Sequence, residues 1–150
     1  MSPRSVAFVF AASVIAVSCG GGAEDASTVP TPTAQGTSNS TVSIVLLNYS
    51  VTPNPTSVPP GNVTFDIKVK SGFHAFAVLR TDFPHDKLPL KDVQADTFHE
   101  GIELVVANGV SSAPRKVEAQ LTKPGKYVLL CNINDHYKRG MSAAFTVTGS

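Results

Sequence analysis

Hydrophobic and polar residues alternate along the C-terminal part of the chain in the manner of half-buried β-strands. From Val63 to Lys70 every second residue is a large apolar one, and polar or charged residues lie between them. This period of two is typical of a strand with one face in a core. Other short apolar segments bounded by turn residues predict strands at 41–49, 73–80, 102–107, 116–121, 127–130 and 143–148. About seven short strands within about 110 residues predict an all-β sandwich.

Residues 81–101 do not share this pattern. They contain several charged side chains and show no regular spacing of apolar residues. We therefore expect this segment to be a long excursion from the sheets, with room for one helical turn.

The N-terminus resembles a bacterial export signal. Arg4 is the only charged residue before position 24, and an apolar segment of 12 residues follows at 6–17. That segment is shorter than the roughly 20 residues that cross a bilayer, but it suits the apolar region of a signal peptide. The sequence AVSCG at 16–20 resembles the lipobox of bacterial lipoproteins, which predicts a signal peptide at 1–18 and lipidation of Cys19. The alternative is an ordinary signal peptide with an incidental cysteine.

The segment that follows has the composition of a linker. From Gly20 to Ser40, 16 of 21 residues are Gly, Ala, Ser, Thr or Pro, and such sequences form flexible tethers. We therefore predict a lipid-anchored linker at 19–40 and a folded domain at 41–150. This organisation predicts an exported protein that is held by its lipid anchor on the extracytoplasmic face of a bacterial membrane, in the periplasm or at the cell surface.

Composition limits the possible functions further. Hydrophobic residues make up 42% of the chain, which is too many for a disordered protein. The formal net charge is +1, and the charges form no basic stripe. Nucleic-acid binding is therefore not indicated.

The residues that carry chemistry lie in one loop and one upstream position. Cys131, His136 and Met141 are spaced as C-x4-H-x4-M, and His74 precedes them by 57 residues. A thiolate, two imidazoles and a weak axial thioether form the ligand set of a blue copper site. Zinc, in contrast, prefers four strong ligands and no thioether.

Three of these residues also have a simpler interpretation, and for His74 it is an ordinary polar residue at the start of a strand. Cys131 directly follows an apolar strand and could be a small core residue. Met141 could likewise serve core packing. His85 and His99 are the rivals of the upstream histidine, although both lie in the charged excursion. Lys138 and Arg139 indicate either a solvated face or a docking surface for a partner.

At these residues the chain resembles the cupredoxins, the small blue copper proteins. Residues 123–141 are similar to the C-terminal signature of that family, and 59–65 with His74 are similar to its first-ligand half. The loop spacing is closer to the auracyanin, rusticyanin and sulfocyanin branches than to plastocyanin. The resemblance covers about 42–148 and implies a Greek-key β-sandwich of seven to eight strands. It also implies one mononuclear type 1 copper per chain, with ligands His74, Cys131, His136 and Met141.

The sequence departs from the family pattern at two places. Many cupredoxins have an asparagine after the first histidine, where it ties the two ligand loops together, and this chain has Ala75. Many also have Pro-Gly before the second histidine, where this chain has Asn134 and Asp135. Asn and Asp tolerate a positive φ better than most residues, so this pair could replace the glycine in the turn. Neither departure removes a ligand.

The resemblance implies a one-electron carrier that exchanges electrons with redox protein partners. Together with the predicted lipid anchor, it leads us to expect a monomer that is tethered to a membrane. It is not expected to be an enzyme, because four protein ligands leave no open position for a substrate. The main alternative is an extracytoplasmic copper carrier or storage protein without a role in electron transfer. A redox enzyme of the nitrite-reductase type and a purely structural sandwich are the remaining alternatives.

Overall fold

The computed structural model describes residues 38–149, and these residues form eleven β-strands. No helix occurs in this range, so none there could cross a membrane. The strands are β1 Ser38–Leu47, β2 Ser50–Asn54, β3 Ser57–Val58, β4 Gly61–Val69, β5 His74–Thr81, β6 Leu90–Lys91, β7 Gln94–Ala95, β8 Ile102–Ser111, β9 Arg115–Leu121, β10 Gly125–Leu130 and β11 Ser142–Val147. Eight of them are five residues or longer, in agreement with the predicted seven to eight strands.

The strands form two sheets and one short ribbon. The first sheet has the order β2-β1-β4-β9, and the second has the order β3-β11-β10-β5-β8. Strands β1 and β4 pair in parallel, as do β11 and β3, whereas the other pairs are antiparallel. The ribbon consists of β6 and β7 alone.

The two sheets pack against each other through one apolar core. Phe65 of the first sheet lies with its ring centroid 5.2 Å from that of Phe76 and 5.9 Å from that of Phe145, both in the second sheet. Other fully buried members of this core include Ile44, Leu46, Ile67, Leu121 and Leu129. Alternate residues of each strand supply these side chains. The apolar positions of the period-two pattern in the sequence are therefore the ones that face the core between the two sheets. The predicted β-sandwich is confirmed.

The second sheet is also covered on its other face. Leu79 of β5, together with Val128 and Leu130 of β10, belongs to a separate buried cluster. Leu88 and Ala95, from the segment 82–101 that follows β5, belong to the same cluster. Strand β10 is therefore buried on both sides, which explains why its sequence is continuously apolar instead of alternating.

The structure corrects several details of the strand prediction. The 82–101 segment contains the β6–β7 ribbon and turns instead of a helical turn. Strands β2 and β3 were not predicted, because Pro53 lies within β2 and prolines lie on both sides of β3. Pro53 is tolerated because β2 is the edge strand of its sheet.

The first strand also starts earlier than predicted. β1 begins at Ser38, where the composition had indicated linker, and Ser38 pairs with Gly61 of β4. The predicted signal peptide, the lipidation of Cys19 and the rest of the linker lie outside the described residues.

Candidate metal centre

The four predicted ligands lie at one end of the second sheet. His74 is the first residue of β5, and Cys131 directly follows β10. These strands are neighbours, with Leu130 paired to Ala77, so the sheet itself brings the two residues together. His136 and Met141 lie in the loop that connects β10 to β11.

The donor atoms of three of these residues converge. The Cys131 Sγ atom lies 3.7 Å from His74 Nδ1 and 3.5 Å from His136 Nδ1. All three donor atoms lie within 4.8 Å of one another. This is the one group of three or more His, Cys, Asp or Glu side chains with metal-binding spacing that residues 38–149 contain.

These distances fit a metal ion with trigonal sulfur and nitrogen ligands. Metal–sulfur and metal–nitrogen bonds of about 2.3 and 2.0 Å at an angle near 120° place the two donor atoms about 3.7 Å apart. The observed separations of 3.5 and 3.7 Å agree with this value. A thiolate and two imidazoles with a nearby methionine form the donor set of a type 1 copper site.

Met141 is fully buried beside this group, in the same core cluster as Cys131. The Cys131 N–H donates to the Met141 carbonyl, and the Met141 N–H donates to the His136 carbonyl, each at 3.0 Å. These two bonds link the backbones of the three loop residues, so the spacing C-x4-H-x4-M closes a compact loop.

The turn into His136 uses one of the two residues that replace Pro-Gly. Asn134 has a φ of 45°, whereas the chain returns to Met141 through Gly140 with a φ of 93°. The His136 N–H donates to the Ile133 carbonyl at 3.0 Å. Asn134 therefore supplies the left-handed conformation that the sequence predicted for this pair.

His74 is held by the turn that precedes it. Its side chain is buried, and its Nε2 atom lies 2.6 Å from the Ser71 carbonyl oxygen. A carbonyl only accepts hydrogen bonds, so Nε2 is the nitrogen that carries a proton, and in the neutral tautomer Nδ1, which faces the Cys131 sulfur, has the free lone pair. The protein thereby selects the tautomer that can bind a metal through Nδ1.

The Cys131 thiol is fully buried, and burial raises its pKa. Hydrogen bonds from the backbone N–H groups of Ile133 and Ala75 act in the opposite direction and lower this pKa. The thiol is therefore protonated at neutral pH and releases its proton when it binds a metal as thiolate.

His136 lies at the edge of the site and is only partly buried. Burial and the neighbouring His74 lower its pKa, whereas Asp135 raises it. The Tyr49 ring stands edge-on to the imidazole, with ring centroids 5.0 Å apart. The net effect favours the neutral imidazole, which is the form that binds a metal.

The other two histidines do not join this group. His85 Nδ1 lies 3.0 Å from the Ser142 hydroxyl, and His99 Nδ1 lies 2.7 Å from the Glu100 carbonyl. Both belong to the 82–101 segment, as the sequence indicated. The structure thus brings together side chains that the sequence singled out, but the sequence gave no sign of Ser71, because that contact is made by a backbone oxygen.

Comparisons with known proteins identify the fold. No protein-family model matches the sequence, and no curated protein matches it either. The structure is similar to auracyanin from Roseiflexus castenholzii, with 20% identity over 76% of this chain and 100% of that one, at a TM-score of 0.50. Auracyanin A, a "blue" copper protein from Chloroflexus aurantiacus, matches with 16% identity over 74% and 100% of the two chains, at a TM-score of 0.51.

Rusticyanin from Thiobacillus ferrooxidans shows the same likeness. Its identity to this chain is 19%, over 73% of this chain and 77% of that one, at a TM-score of 0.52. Auracyanin and rusticyanin are cupredoxins. The chain has the cupredoxin fold that residues 123–141 predicted.

Proposed function

We propose that this protein binds one copper ion as a type 1 site and carries one electron at a time between redox proteins. The observation that supports this most strongly is the convergence of Cys131 Sγ with the Nδ1 atoms of His74 and His136 next to the buried Met141. A copper ion in such a site alternates between Cu(II) and Cu(I).

The exposure of the ligands favours electron transfer over catalysis or copper delivery. His74, Cys131 and Met141 are at most 1% exposed, whereas His136 is partly exposed. Four protein donors leave no open position for a substrate. Buried ligands also hinder the ligand exchange that a copper carrier or storage protein needs, whereas an electron can pass through the imidazole of His136.

Absorption spectroscopy of the copper-loaded protein tests this proposal. We expect the intense visible band of a thiolate-to-Cu(II) transition, and its reversible loss and return on reduction and reoxidation. Cys131→Ser should abolish the band, because no thiolate remains, and His74→Ala should weaken or shift it. The matched control is His99→Ala, which removes a histidine outside the cluster and should leave the band unchanged.

A colourless wild-type protein that binds only Cu(I) would contradict electron transfer and favour the copper-carrier alternative. A His99→Ala variant that loses the band would contradict the ligand assignment.

We further propose that the protein is exported and anchored to a membrane through lipid on Cys19. The supporting features are the apolar segment at 6–17, the AVSCG sequence at 16–20 and the linker composition that follows. Stable anchoring requires more than one acyl chain, which a fully modified lipoprotein cysteine provides. A tether of this kind would let the copper domain turn toward redox partners at the membrane surface.

Cell fractionation tests the anchor. The full-length protein should be found with membranes, and Cys19→Ala should release it or block its processing. Cys131→Ser is the matched control, because it replaces the other cysteine and should remain with membranes. A wild-type protein that is wholly soluble after cleavage at another position would contradict the anchor.

A further inference from the structure

The loop that carries three of the four proposed ligands leaves the second sheet at Cys131. Pairing between β10 and β5 ends at Leu130, opposite Ala77. Beyond this point the loop needs other partners if the thiol is to keep its position. The β6–β7 ribbon provides them.

Asn132 contacts this ribbon through both ends of its side-chain amide. Its Oδ1 atom accepts a hydrogen bond from the Ala95 N–H at 2.8 Å, and its Nδ2 atom donates to the Ala95 carbonyl at 3.0 Å. The Gln94 side chain donates through Nε2 to the Asn132 carbonyl at 2.8 Å. The two bonds with Ala95 resemble the pairing of two strands, with the Asn132 side chain in place of one backbone.

The position of Asn132 in the chain links these bonds to the metal centre. It lies between Cys131, whose N–H donates to the Met141 carbonyl, and Ile133, whose carbonyl accepts a hydrogen bond from the His136 N–H, each at 3.0 Å. Any movement of residue 132 therefore changes both the place of the Cys131 sulfur, which is a proposed ligand, and the backbone hydrogen bonds on either side of it.

We propose that Asn132 is a positioning residue for the thiolate ligand, and that its pairing with Gln94 and Ala95 holds the Cys131 end of the ligand loop in place. The inference rests on the proposed copper site. It assigns the β6–β7 ribbon a role in the site, although the ribbon contributes no ligand.

The segment that carries the β6–β7 ribbon is also attached to the rest of the domain by contacts that do not involve Asn132. The role of Asn132 in holding the ribbon can therefore be tested separately from its role in positioning the thiolate. The Leu88 N–H donates to the Tyr137 hydroxyl at 2.7 Å, and His85 Nδ1 lies 3.0 Å from the Ser142 hydroxyl. Leu88 and Ala95 are also buried in the apolar cluster that covers the outer face of the second sheet. Loss of the Asn132 side chain should therefore loosen the loop without releasing the whole segment.

Hydrogen exchange and spectroscopy of Asn132→Ala test the proposal. In the metal-free protein, exchange of the Ala95 amide should become about tenfold faster, because its N–H loses the Asn132 acceptor. Exchange of the Cys131 amide, which donates to the Met141 carbonyl, should also become faster, because the loop beside it is no longer held. In the copper-loaded protein, the relative intensities of the thiolate charge-transfer bands and the reduction potential should both change. Gln94→Ala should cause smaller changes of the same kind, because it removes one bond. Gln120→Ala, an exposed glutamine in the other sheet, should cause none.

Faster exchange at Ala95 alone, with band intensities and potential as in the wild type, would overturn the proposal, because Asn132 would then hold only the ribbon. If Asn132→Ala does not fold, Gln94→Ala decides by the same measurements. If the wild type shows no thiolate band, the proposed function fails. Even then, faster exchange at Cys131 in the metal-free variant supports the positioning role, and unchanged exchange there overturns it.

Discussion

At the scale of single residues, the exposed side of the metal centre is defined by a small group of charges and rings. Arg139 lies with its guanidinium carbon 4.6 Å from the centroid of the Tyr49 ring, which itself contacts His136 edge-on. The Arg139 Nε atom also donates to Asp135 Oδ2 at 2.7 Å. Asp135 directly precedes His136 in the chain and brings a negative charge close to the site. The structure adds that this charge is paired with the cation stacked beside it.

This pairing predicts opposite effects of removing each charge. Asp135→Asn should raise the reduction potential of bound copper, because Arg139 loses its neutralising partner, and Arg139→Gln should lower it. Both groups are exposed, so each shift should be on the order of a few tens of millivolts and should shrink at high salt. Redox titration of both variants and of the double variant, at two ionic strengths, measures this.

The double variant should return close to the wild-type potential, since it removes a neutral pair. Single variants that match the wild type even at low salt would show that solvent already screens both charges completely.

At the scale of secondary-structure elements, the sequence predicted most reliably the strands and loops that a local pattern of residues determines. The alternation from Val63 to Lys70 identified β4, and the loop spacing identified the cluster of Cys131, His136 and Met141. The 82–101 segment was not predictable in the same way, because its apolar residues pack on a distant part of the chain. Its contacts with β5 and β10, and the partners of Asn132, depend on residues that are far apart in sequence.

The hydroxyl of Tyr137 joins this segment to the ligand loop, and its loss should reduce stability. Tyr137→Phe leaves the Leu88 N–H without its partner inside a buried cluster, which should cost about 1–3 kcal/mol of the free energy of unfolding. Urea denaturation of the metal-free protein measures this. Tyr49→Phe is the matched control at a half-buried ring and should change stability by less than about 0.5 kcal/mol. If both variants lose the same small amount of unfolding free energy, a water molecule must satisfy the Leu88 N–H in place of the hydroxyl.

At the scale of the whole molecule, the sandwich positions the metal centre through contacts that do not involve a metal. His74 is fixed by β5 and by the Ser71 carbonyl. Cys131 is fixed by the end of β10 and by its bond to the Met141 carbonyl. The two sheets share a core that extends from Phe65 to the ligand residues. A site built in this way requires little rearrangement when an ion binds or when its charge changes.

We therefore expect the metal-free protein to fold fully and copper to stabilise it without reshaping it. Binding to the folded state alone should raise the free energy of unfolding by about 2.7 kcal/mol when free copper is a hundredfold above its dissociation constant. The midpoint of thermal unfolding should accordingly rise with copper concentration, while the far-ultraviolet circular dichroism spectrum stays the same. Cys131→Ser should show a much smaller rise, because the serine hydroxyl is a weak substitute for the thiolate. A large gain of β-structure on adding copper would contradict this expectation, since it would mean that the metal organises the sandwich instead of entering a site that the strands and their hydrogen bonds have already built.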